Sequence, residues 1–210
     1  MSRLGALALV CLVAVAACGE DTTSQSNEAV AVEADVVASN SAPIVNQETV
    51  MAVSDPENAI VIELKDGNVV IELAPDLAPN HVARIKELAR EGFYDGLVFH
   101  RVIDGFMAQT GDPTGTGTSG SGQNLDAEFS DANFDRGTLG MARSSNPNSA
   151  DSQFFICLEA APHLNGQYTV LGQVVDGMEH VDSIKKGASG SGQVSNPDKM
   201  ISMKVLADTL

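Results

Sequence analysis

One arginine stands in an apolar run that would ordinarily exclude it: Arg101, within Phe99-His100-Arg101-Val102-Ile103. Burying an unpaired charge is costly. A guanidinium is also permanently ionised and carries several donors in a rigid fork. Shortly after it come Phe106-Met107 and then Gln109, so a cationic donor, two large apolar side chains and an amide share one short stretch. A fixed donor beside an apolar surface can bind a transition state more tightly than a resting substrate, and that difference is catalysis. From pattern alone, Phe106, Met107 and Phe155 read more readily as ordinary core. Arg101 and Gln109 resist that reading.

Other chemistries find little support. The histidines, His81, His100, His163 and His180, are scattered without ligand spacing, and no H-E-x-x-H occurs, so neither metal nor cofactor is expected. No G-x-S-x-G nucleophile elbow is present. Gly115 to Gly120 matches G-x-G-x-x-G, but Asp112-Pro113 precedes it and no helix start follows, so it reads as a flexible loop, not a dinucleotide fingerprint. Cys157, inside Phe154-Phe155-Ile156-Cys157-Leu158, reads as a small buried hydrophobe. Twelve basic residues face 28 acidic ones, for a formal charge of −16. That excess repels phosphate backbones, and nucleic acid is not an expected partner.

The elements that must position these residues are mostly short strands. Ile60–Lys65 and Asn68–Leu73 alternate apolar and polar about Asp66-Gly67, which predicts a hairpin with a type I′ turn. That turn would place Leu64 opposite Val69, Ile62 opposite Ile71 and Ile60 opposite Leu73. Pro79-Asn80 offers a helix start, Val82, Ile85, Leu88 and Ala89 form one stripe, and Gly92 ends it. Further strands are predicted at Leu97–Val102, Phe106–Gln109, Thr138–Ala142, Phe154–Leu158, Tyr168–Val175 and Lys199–Leu206, with a short helix near Met178–Ile184. The fold class expected is mainly β: a closed eight-stranded antiparallel barrel capped by two helices, which would leave no sheet edge exposed.

Three ordered blocks carry a family resemblance. Phe99 to Asp112 closely resembles the cyclophilin signature; Gly137 to Ala142 with Ser152 to Ile156, and then Leu164 to Gly172, resemble its other parts in order and spacing. The similarity runs from about Asn58 to Val205. It implies a peptidyl-prolyl cis–trans isomerase with Arg101 as the catalytic donor, acting on proline-containing segments of unfolded or extended proteins. It further implies a proline slot of Phe106, Met107, Phe155 and Leu164, a substrate amide contact from Gln109, a peptide-tracking segment at Ala142 and Arg143, and Gln153 in the same groove. Three positions depart from the familiar pattern: His163 stands where Trp is frequent, Tyr168 where His is frequent, and Arg143 where Asn is common. Without the indole donor, weak inhibition by cyclosporin is expected. The alternative is a non-catalytic proline-peptide-binding module or chaperone on the same fold.

The N-terminus reads as an address. Arg3 precedes an apolar stretch from Leu4 to Ala17, too short for a bilayer span of about 20 residues but suited to a signal peptide. Val15-Ala16-Ala17-Cys18-Gly19 resembles a bacterial lipobox, with Cys18 the residue to be lipidated. Residues 18–57 are rich in Ser, Asn, Glu, Asp, Ala and Val without periodicity, and read as a flexible tether. The expected organisation is a signal peptide at 1–17, that tether, and the isomerase domain at 58–210. The domain would be a monomer on the periplasmic side of a bacterial envelope, held to a membrane, the outer one by expectation, through lipid alone.

Overall fold

The computed structural model describes residues 53–210; the segment read as a signal peptide, Cys18 and most of the stretch read as a tether lie outside the described residues. Eight strands and two helices follow in the order β1 (Ala59–Leu64), β2 (Gly67–Leu73), α1 (Pro79–Arg90), β3 (Arg101–Ile103), β4 (Met107–Thr110), β5 (Thr138–Met141), β6 (Phe154–Cys157), β7 (Val170–Asp176), α2 (Met178–Asp182) and β8 (Ser202–Val205). They form one antiparallel sheet, ordered β3-β4-β6-β5-β7-β2-β1-β8.

The sheet curls without closing by a strand ladder, which corrects the expected closed barrel. Between the outermost strands β3 and β8 runs an irregular segment that bonds to the stretch leading into and through β3. Val102 N–H donates to Gly192 O, Val194 N–H to His100 O, Phe99 N–H to Asp198 O and Met200 N–H to Leu97 O. That segment holds Gly187, Gly190, Gly192 and Pro197, and a chain with this composition cannot sustain a regular ladder. Consequently the predicted strand Leu97–Val102 contributes only an isolated bridge at Val98 before β3 begins at Arg101.

The β1–β2 hairpin keeps its predicted faces but not its turn. Lys65 and Asp66 form the loop, and Gly67 pairs with Leu64, Val69 with Ile62, and Ile71 with Ile60. A slip of two residues preserves the side-chain alternation, so the apolar set stays inward. The cause is local. Gly67 has φ +150°, and the imidazole of His180 occupies the space where a Cβ would stand.

Inside the sheet, Ile60, Ile62, Val69 and Ile71 pack with Val82, Ile85 and Leu88 of α1, Val181 of α2, and the rings of Tyr94, Phe99 and Phe154. The outer face of the hairpin is covered as well. Val61 and Val70 are buried with Val53 and Leu206, so the docked chain begins before residue 58. Ser54 Oγ also donates to Glu72 Oε1 (2.7 Å), and the Asp55 side chain caps the short turn Pro56–Asn58.

Helix α1 has Ala78 at its N-cap, which offers no side-chain acceptor. Glu128 supplies one from a distant loop. Its carboxylate accepts from the N–H groups of Asn80 and His81 (both 3.1 Å), from the Asn80 amide (2.8 Å) and from His81 Nδ1 (2.6 Å). An anion at a helix N-terminus satisfies free N–H groups and complements the helix dipole. Burial raises the Glu128 pKa, but the bonds from His81 and Asn80 outweigh it and hold the carboxyl below its usual range.

Glu128→Gln is expected to lower stability by about 1–3 kcal/mol in urea titrations at neutral pH. Because the folded-state pKa is depressed, the charged carboxylate stabilises the fold above pH 4.5 and progressively less as pH falls below it. The gap between wild type and variant should therefore narrow in acid; a gap independent of pH would contradict the capping role.

Candidate active site

Alternation along the strands sorts the residues of β3, β4, β6 and β5 onto two faces. Val102, Ala108, Ile156 and Leu139 stand opposite one another in turn and point into the core. The neighbouring row is Arg101, Gln109, Phe155 and Gly140, each directly opposite the next, and it faces outward. This outer face is not left to solvent. A second apolar cluster covers part of it, built from Met107, Phe134, Phe155, Cys157, Ala161, Leu164 and Val170, with Phe106 and Tyr168 packed at its margin.

A groove of about 270 Å³ opens beside that cluster, lined by Arg101, Phe106, Met107, Gln109, Ala142, Arg143, Phe155, His163, Leu164 and Tyr168. Ten of the eleven substrate-site residues expected from the sequence thus meet in one place. Gln153 lines an adjoining, more polar groove of about 350 Å³, which shares Gln109, Ala142 and Arg143 with the first.

Polar side chains here are held by one another. Arg101 Nη1 donates to Gln109 Oε1 (3.3 Å), Gln109 Nε2 donates to Gln153 Oε1 (2.9 Å), and Gln153 Nε2 donates to Ser119 O (2.7 Å). Arg101 Nε donates to Ser191 O (3.1 Å). Two of its five donors are so engaged, while Nη2 has no bond among the described residues, and no carboxylate pairs with the guanidinium. His100, the preceding residue, is buried, and burial holds its imidazole below the ordinary range.

The apolar part is equally constrained. Phe155 stacks on Phe134 (centroids 5.8 Å apart, 24° between planes), and Tyr168 meets Phe155 edge-on at 6.0 Å. Gly140 makes this possible, since a Cβ there would lie 2.5 Å from Phe134 and 2.6 Å from Phe155. His163 is exposed at the rim, its ring 5.3 Å from that of Phe106. Cys157 is buried in the cluster, and burial first, then the charge of Asp135, pushes its thiol up to about 12, which leaves it inert.

Sequence reasoning passed over Phe134, Ser119 and the carbonyl of Ser191. A lone Phe in the polar stretch Asp131-Ala132-Asn133-Phe134-Asp135 was the available signal for the first. The run 115–120 is not the flexible loop expected. It wraps round Asp112, whose carboxylate accepts from the N–H groups of Thr114 (2.7 Å), Gly117 (2.5 Å) and Thr118 (2.9 Å). The Asp112 side chain is buried.

A family model described as cyclophilin type peptidyl-prolyl cis-trans isomerase/CLD matches residues 59–205. That span takes in both grooves and the whole sheet. The chain belongs to the cyclophilin family. Among its relatives, a probable peptidyl-prolyl cis-trans isomerase of Brucella suis is 57% identical over 169 residues, covering 74% of this chain and 86% of that protein. Peptidyl-prolyl cis-trans isomerase B of Bacillus subtilis is 46% identical over 127 residues, covering 59% of this chain and 88% of that protein. The crystal structure of cyclophilin AquaCyp293 from Hirschia baltica superposes with a TM-score of 0.68 at 28% identity, covering 80% of this chain and 83% of that one. A Cryptosporidium parvum cyclophilin, crystallised in the presence of the dipeptide Ala-Pro, gives 0.64 at 31% identity, covering 70% and 98%.

Within this cyclophilin, Asp112 carries a checkable number. Burial raises its pKa, but the bonds from Thr114, Ser119 and Gly117 more than reverse that and hold the carboxyl at about 2, against an ordinary 3.8. A carbon-13 NMR titration should give a midpoint near 2, and the loop's contribution to stability, complete above pH 3.8, should fade as pH falls through that midpoint. A midpoint at the ordinary value would mean that the loop is not held by the carboxylate.

Proposed function

We propose that the groove accelerates rotation about X–Pro peptide bonds, with Arg101 as the catalytic residue. Rotation is slow because amide resonance must be lost, at a barrier of about 18–20 kcal/mol. At the twisted midpoint the prolyl nitrogen regains a lone pair. A donor fixed beside it binds that form better than either planar one, and the barrier falls accordingly. The observation that carries this reading is the Nη2 of Arg101 beside an apolar slot, in a guanidinium fixed by Gln109 and Ser191; among the described residues that nitrogen is unengaged and no carboxylate pairs with the group.

The geometry supports roles for the other groove residues. Met107, Phe155 and Leu164 are almost fully buried and offer a preformed apolar floor for the pyrrolidine ring, with Phe106 at its edge. Gln109 spends one amide hydrogen on Gln153 and keeps the other for a carbonyl flanking the proline. Ala142 N–H is taken by Gln153 O, whereas the backbone of Arg143 makes no backbone bond among the described residues and is available to an extended peptide. Pinning one side of the proline while the other turns converts binding energy into rate. The substrates are extended or unfolded segments of envelope proteins. The chain meets them as a monomer on a lipid tether, a reading supported by the apolar leader that ends at Cys18 and by the polar stretch after it. Retention of both Arg101 and Gln109 favours catalysis over a purely peptide-binding role.

Arg101→Ala should reduce kcat/KM on a short X–Pro peptide by at least 100-fold, about 2.7 kcal/mol of transition-state stabilisation, with little change in thermal stability. Undiminished turnover in this variant would refute the assignment. A second measurement concerns His163, which stands exposed beside Phe106 and presents no indole donor. Cyclosporin is expected to inhibit weakly, and His163→Trp to tighten inhibition by about tenfold.

A further inference from the structure

The described part of the chain contains five arginines, and three of them are ion-paired: Arg84 with Glu87, Arg90 with Glu57 and Asp208, and Arg136 with Asp182. The other two, Arg101 and Arg143, have no carboxylate partner among the described residues, and both line the groove. Among the described residues no acidic side chain lines that groove, and Asp151, which lines the adjoining one, is taken up by the backbone N–H groups of Ser121 and Gly122. An otherwise anionic protein thus presents two arginines and no carboxylate in the first of the two grooves.

Arg143 is built for a fixed position. Nε and Nη2 donate to Gln167 O (3.1 and 2.9 Å), and Nη1 donates to Ser144 O (2.9 Å). The guanidinium lies over the ring of Tyr168 at 4.5 Å and near that of Phe129 at 5.8 Å. These contacts immobilise the plane and leave one N–H on each terminal nitrogen unengaged among the described residues, charged donors that a carboxylate can accept. The side chain borders both grooves, so a residue close to the proline passes it on entry to the second.

We propose that Arg143, stacked on Tyr168, selects proline segments carrying an acidic side chain within a few residues of the proline. The inference rests on the isomerase reading above and adds a substrate class to it. The preference is positional. Away from Arg143 the net charge of the body repels an anionic peptide, so glutamate should help only where it reaches this guanidinium. Substrates with lysine at the same place should be disfavoured.

The test is a set of short peptides with one proline and a single Glu, Gln or Lys at each of the three positions before and two after it. Isomerisation is followed by NMR exchange spectroscopy. At one position, kcat/KM for Glu should exceed that for Lys by about five- to tenfold, with Gln between, and at the others Glu should confer no advantage. In Arg143→Gln that ratio should fall to near one, while Arg143→Lys, which keeps the charge, should retain part of it. Equal rates at every position in the wild type, or a preference that survives Arg143→Gln, would overturn the proposal and leave the isomerase reading standing. No turnover of any peptide, the Gln series included, would overturn both.

Discussion

Everything at the site depends on strand alternation held in register across β3, β4, β6 and β5. The inner row of Val102, Ala108, Ile156 and Leu139 is fully buried, and the cost of exposing it locks the four strands against a one-residue slip. Once that row points inward, Arg101, Gln109 and Phe155 must point outward as nearest cross-strand neighbours. The barrel core therefore sets the spacing of the site, although it shares no side chain with it. Gly140 completes the outer row by omission, and the gap it leaves admits the stacked pair of Phe134 and Phe155.

Holding a charged donor half-buried without a counter-ion requires neutral partners. A carboxylate beside Arg101 would satisfy the guanidinium better, but in the proposed mechanism it would also compete with the weakly basic nitrogen of a twisted amide. The amide oxygen of Gln109 and the carbonyl of Ser191 orient the fork at lower electrostatic cost. Ser191 belongs to the irregular segment that joins the sheet edges. The departure from a laddered barrel therefore has a use: a regular eighth pairing would direct that carbonyl into a neighbouring strand.

Much of this was legible in the sequence where local chemistry and burial agree. Helix α1 lies where its stripe of Val82, Ile85, Leu88 and Ala89 places it, because the same residues face one core. The hairpin turn slipped by two because a tertiary contact, His180 over Gly67, outranked the intrinsic preference of Asp66-Gly67. Strand ends were read too generously at Leu97 and Lys199, where apolar residues are buried by isolated bridges and loop contacts without extended pairing. Ten site residues could be gathered into one groove because they lie in or next to three ordered blocks of sequence. Phe134, Glu128 and Ser191 could not, since each acts through a contact that spans many residues and leaves no local pattern.

The glycine-rich run after Asp112 shows the same limit from the opposite side. Its backbone N–H groups at Gly117, Thr118 and Ser119 converge on one point, as in loops that cradle phosphate. The anion at that point is the chain's own Asp112, so the cradle is already filled. Glycine is needed there because Gly115 and Gly117 have positive φ, which lets successive N–H groups turn toward one oxygen. With the loop so tied, the carbonyl of Ser119 is fixed, and through Gln153 and Gln109 it bears on the orientation of Arg101. A motif that resembles a ligand site thus acts as an internal brace, and its glycines serve the isomerase groove by holding a carbonyl still.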